Sequence, residues 1–83
     1  AQYIQKELTK LGLRWFGGNV TNGILIFLNN ENETKDLVEW LKKKNIYIRG
    51  SFDPPYNICV RVSIGPKEIM KIFADAFRNW LGK

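Results

Sequence analysis

The chain has 83 residues, a formal net charge of +5, 45% apolar residues and 25% charged residues. That is enough for one domain over a thin core, with the composition of a folded protein rather than a disordered or fibrous one. No apolar run approaches the roughly 20 residues of a membrane span and no signal-peptide pattern is present, so a cytoplasmic chain without a membrane partner is expected. With a single cysteine, Cys59, and no histidine, the composition leaves no internal disulfide and none of the usual zinc ligand sets.

Ile4, Leu8 and Leu11 fall at helical spacing, and the segment stops at Gly12, a residue suited to a left-handed helix end. An apolar stripe so close to Ala1 suggests the tail of a longer helix. Trp15 to Asn19 read as turn-rich, and Ile24 to Leu28 as a strand covered on both faces. Asn29 to Glu33 predict a polar loop, with Asn32 or Thr34 capping a helix whose Leu37, Val38 and Leu41 share one side and which ends at Asn45. Lys42, Lys43 and Lys44 close that helix, where cations complement the negative end of its dipole. A solvated role is therefore expected for them in place of a phosphate-binding array, and nucleic acid is not an expected partner.

Ile46 to Arg49 and Ile58 to Ile64 alternate with the period of a strand. Pro54 and Pro55 forbid ladder hydrogen bonds between them, which predicts an antiparallel pair joined by a long loop. Gly65 and Pro66 open the last helix, and Ile69, Ile72, Phe73, Ala76, Phe77 and Trp80 give it a wide apolar stripe to lay over the sheet. The order helix, strand, helix, strand, strand, helix predicts an α+β two-layer sandwich: a small, mainly antiparallel sheet with helices packed on one face.

Alternation also sorts the chemistry. Ile58, Val60, Val62 and Ile64 share one face of their strand while Cys59, Arg61 and Ser63 share the other, so Arg61 points away from the helices. Ile46 and Ile48 pack inward, leaving Tyr47 and Arg49 on the same far face, beside Arg61 if the strands pair. A guanidinium is a rigid fork of donors matched to carboxylate or phosphate, so the pair suits an acidic ligand. Arginine on an exposed strand face also serves solubility and edge protection, and the residue pattern alone favours that reading. Tyr47 reads as a packing residue, Cys59 as a small hydrophobe, and Trp15, Trp40 and Trp80 as core or contact residues. Acid–base groups are scarce: there is no histidine, and no glycine loop of phosphate-cradling pattern precedes a helix.

Three stretches, in order, resemble the fold type I pyridoxal-phosphate aminotransferases, and within them the histidinol-phosphate aminotransferases. Val20 to Ile26 resembles that family's "TNYIL" or "SxANF" entry into the first strand of the C-terminal domain, Asn45 to Gly50 its "GIxVR" strand, and Val60 to Glu68 its "LRITIGTxEE" signature. Gly23, where a bulky residue is common, and Pro66, where threonine is usual, depart from the pattern. The resemblance implies that residues 1–83 form the single C-terminal small domain of such an enzyme, with residues 1–12 the end of the interdomain helix. It implies that Arg61 binds the acidic group of the substrate, the carboxylate of glutamate or 2-oxoglutarate or the phosphate of histidinol phosphate, with Arg49 assisting at the phosphate. Pyridoxal 5′-phosphate and its lysine, aspartate and phosphate loop belong to the family's large domain, so the 83-residue piece alone is not expected to be active. The full-length enzyme is expected to be a homodimer of histidine biosynthesis. A threonine-phosphate decarboxylase resembles the same pattern, and a stand-alone RNA-binding or amino-acid-sensing module is the alternative outside the family.

Overall fold

Alternation in the two central apolar runs builds the middle of the sheet. In the computed structural model, which describes residues 2–17 and 23–82, the strands are β1 (Arg14–Gly17), β2 (Gly23–Phe27) and β3 (Cys59–Ser63). They lie in the order β1-β2-β3, all antiparallel. The register sets Ile24 opposite Val62 and Ile26 opposite Val60, so these four side chains form one buried apolar face. Three helices cover that face: α1 (Gln2–Lys10), α2 (Glu31–Lys42) and α3 (Lys67–Gly82). A single hydrophobic core joins sheet and helices, in keeping with the expected α+β sandwich.

Each helix is cut to length by identifiable chemistry. On α1, Ile4 and Leu8 are buried one turn apart, and Gly12 ends the segment at φ 77°, a left-handed conformation that residues with a side chain rarely adopt. Helix α2 starts on Asn30, whose side chain accepts a hydrogen bond from the Glu33 N–H at 2.9 Å, while the Glu33 carboxylate accepts one from the Asn29 N–H at 2.9 Å. This is a capping arrangement of the N-x-x-E type. Asn30 therefore replaces the expected Asn32 or Thr34, and the polar loop shrinks to Asn29 and Asn30. Thr34 is instead buried one turn inside, its hydroxyl donating to the Glu31 carbonyl at 2.6 Å.

At its far end α2 stops at Lys42, and a closing turn reaches Asn45. Asn45 takes φ 64°, its N–H donates to the Lys42 carbonyl, and the Ile46 N–H reaches back to the Leu41 carbonyl at 2.9 Å. These two bonds make a Schellman ending with asparagine in the left-handed position. On α3, Phe73, Phe77 and Trp80 stack edge to face with centroids 5.6 and 5.8 Å apart. The Trp80 indole then donates to the Asp36 carboxylate at 2.7 Å, tying α3 to α2.

Four expectations need correction. Trp15 to Gly17 belong to a strand: Trp15 turns inward against the core with its Nε1 donating to Thr9 Oγ1 at 3.0 Å, while Arg14 and Phe16 turn outward. Gly18 and Asn19, the rest of the turn-rich stretch, lie outside the described residues, as do Val20, Thr21 and Asn22. The central strand is covered on one face only, because Leu25 and Phe27 point to the far side and stay half-buried. Ile46 to Arg49 does not form a full strand; its one rung is the Arg49–Arg61 bridge. Finally, the buried stripe of α3 is Met70, Phe73, Ala74, Ala76, Phe77 and Trp80. Ile69 and Ile72 stay 53% and 56% exposed, because a stripe as wide as theirs exceeds what one sheet face and two neighbouring helices can cover.

Candidate anion-binding face

The far side of the sheet is where the polar alternation leads. Read across the register, it carries Arg14 and Phe16 from β1, Gly23, Leu25 and Phe27 from β2, and Cys59, Arg61 and Ser63 from β3. Arg49 extends it beyond β3. The Arg49 N–H donates to the Arg61 carbonyl at 3.0 Å and the Arg61 N–H donates to the Arg49 carbonyl at 2.8 Å. Two residues that exchange both bonds are a hydrogen-bonded antiparallel pair, with Cα atoms about 5.5 Å apart and side chains on the same face. The two arginines named from the sequence are therefore direct neighbours, and both sit on the uncovered side.

Like charges directly opposite one another weaken a sheet unless solvent or a counter-ion shields them. Acids engage Arg78, Lys10 and Lys35 elsewhere, but no ion pair among the described residues reaches Arg49 or Arg61. Among the described residues, none neutralises the charge of the pair. Arg49 is exposed, whereas Arg61 is half-buried. The difference lies in Gly23: a Cβ there would fall 2.5 Å from Cζ and 2.6 Å from Nε of Arg61, so the guanidinium lies where a side chain at position 23 would stand. The remaining surface is aromatic. Phe16 is 71% exposed, and the Arg14 guanidinium stacks 4.3 Å above the Phe27 ring.

Sequence reasoning missed Arg14, Phe16 and Gly23 as members of this face. The first two were hidden by the unread strand β1. The signal for Gly23 was present, since a glycine inside an apolar strand run marks a close approach. Cys59 shares the far face by register, opposite Phe27, and is fully buried, as expected of a small hydrophobe. Its thiol is pushed above the ordinary value of 9.0 by that burial, with the nearby Arg14 charge opposing.

Pyridoxal phosphate needs a lysine for its imine and a carboxylate for its ring nitrogen, held together in a closed pocket. The described lysines are all exposed, on helix surfaces and ends, and the face bearing Arg49 and Arg61 offers neither a lysine nor an acid. These residues do not fit the cofactor. No group of three or more His, Cys, Asp or Glu side chains among the described residues comes together as a metal site, and no described helix is long and apolar enough to cross a membrane. What the arrangement can do is grip an anion: two forks side by side, flanked by the exposed Ser63 and by aromatic rings. The chain matches no protein-family model, no curated protein and no solved structure.

Proposed function

We propose that the chain is the substrate-binding C-terminal domain of a cytoplasmic, pyridoxal-phosphate-dependent aminotransferase of the histidinol-phosphate type. The enzyme would pass an amino group between glutamate or 2-oxoglutarate and a phosphorylated partner substrate. The observation that supports it most is the adjacency of Arg49 and Arg61 on the uncovered face, with no ion pair to an acid among the described residues. These are the two positions that the "GIxVR" and "LRITIGT" resemblances single out. Two neighbouring guanidinium charges also match a phosphate dianion better than a lone carboxylate.

In this reading Arg61 orients the substrate: its fork holds the acidic end so that the amino group is presented to the reacting centre. A charge-assisted bond of this kind contributes roughly 1.5–3 kcal/mol. Arg49 adds charge at the phosphate. Pyridoxal phosphate, with its lysine, aspartate and phosphate loop, belongs to the large domain of the same enzyme, and the exposed Phe16 belongs to the apolar surface against which that domain packs. The full-length protein acts as a homodimer.

The test is steady-state kinetics on the full-length enzyme. Arg61→Lys keeps the charge but loses the fork, so the Michaelis constant for glutamate should rise about tenfold or more. An unchanged constant would count against the assignment.

A further inference from the structure

Glycine is a poor choice where a strand pairs inside a sheet, because it packs nothing and surrenders the most backbone freedom. Gly23 nevertheless stands in the ladder opposite Ser63 and is buried. The side chain nearest to it on the open face is that of Arg61. Arg61 lies opposite Leu25, so its side chain leans along the strand by one pleat to cover Gly23, and the three atoms nearest an added Cβ are all from its guanidinium. The separations to Cζ and Nε, 2.5 and 2.6 Å, are far inside ordinary contact. Even a methyl group would lift the guanidinium off the sheet.

Arg49, directly across the bridge, has no such support and is exposed. One arginine of the pair is therefore laid against the backbone in a defined place while the other stands in solvent. A long side chain held in one arrangement before the ligand arrives loses less freedom on binding, which is how a supporting shell raises affinity without touching the ligand.

We propose that Gly23 is a positioning residue for the anion site: the space of its missing side chain seats the Arg61 guanidinium on the sheet and presets its fork. The inference rests on the reading of this face as an anion site. It assigns Gly23 a task through Arg61, with no contact of its own to the substrate.

The experiment is calorimetric titration of the intact protein with inorganic phosphate, for wild type, Gly23→Ala, Arg61→Ala and the double variant, with melting temperatures measured alongside. Gly23→Ala should weaken phosphate binding about tenfold, the scale of one charge-assisted hydrogen bond, at a melting temperature close to wild type. In the Arg61→Ala background the same glycine substitution should change the affinity no further, because the group that it displaces is gone. Wild-type affinity in Gly23→Ala, or an equal loss in both backgrounds, overturns the inference while leaving the anion site standing. Wild-type protein that binds no phosphate overturns both. If Gly23→Ala does not fold, the double variant decides: recovery of the fold supports the seat, and continued unfolding sinks it.

Discussion

The two faces of one sheet are built from the same short strands, yet they do opposite work. On the covered side, Ile24, Ile26, Val60 and Val62 are at most 5% exposed and meet Phe73 and Phe77 of α3. On the open side the intervening residues are arginines, aromatics, a serine and a glycine, with Arg61, Leu25 and Phe27 only half-buried. A period of two lets one stretch of chain hold the fold together on even positions and present chemistry on odd ones. Stability and ligand recognition should then respond to different substitutions, and the contrast can be attacked from either side.

The largest effect is expected on the covered side. Phe77→Ala removes a fully buried ring that stacks on both Phe73 and Trp80, and should cost about 3–5 kcal/mol of unfolding free energy. Chemical denaturation measures it, and a cost below about 1 kcal/mol would mean that the aromatic column is not the centre of the core. On the open side, Arg49→Ala should leave stability within about 0.5 kcal/mol of wild type, since the residue is exposed and relieving the like-charge pair offsets lost contacts. A loss well beyond that would break the division between the faces.

The smallest effect comes from Cys59, which belongs to the open face by register and to the interior by burial. Burial holds its thiol pKa above the ordinary 9.0. The folded protein therefore keeps the proton at a pH where the unfolded chain has already released it. The contribution is fully present below 9.0 and is lost as pH rises through the folded value, so stability should fall on that side. Melting curves from pH 8 to 10.5 on wild type and Cys59→Ala isolate the difference. Identical slopes would show that the thiol is hydrated in the native state.

The comparison also shows why some features were legible in the sequence and others were not. Periodic apolar runs announced α2, α3, β2 and β3, because their spacing is written by the face that must be buried. The outward aim of Arg49 and Arg61 followed from the same arithmetic. Strand β1 was hidden because Arg14 to Gly17 is short, bulky and followed by a second glycine, so local turn chemistry outweighed an alternation of four residues. The cap at Asn30 was missed because three asparagines compete within four positions, and only the backbone path picks one. Ile69 and Ile72 misled because the apolar stripe of α3 is wider than the surface available to it. The seat at Gly23 depends on where a neighbouring strand's arginine falls, which is a matter of register and lies beyond any single segment.

Among the described residues, the backbone of the segment that carries Arg49 joins the ladder through the Arg49–Arg61 pair. An anion gripped by both side chains would join the same two residues a second time, through the ligand instead of through the peptide groups. Recognition would then double as a clasp, with each bound molecule tightening the outermost margin of the sheet by mass action.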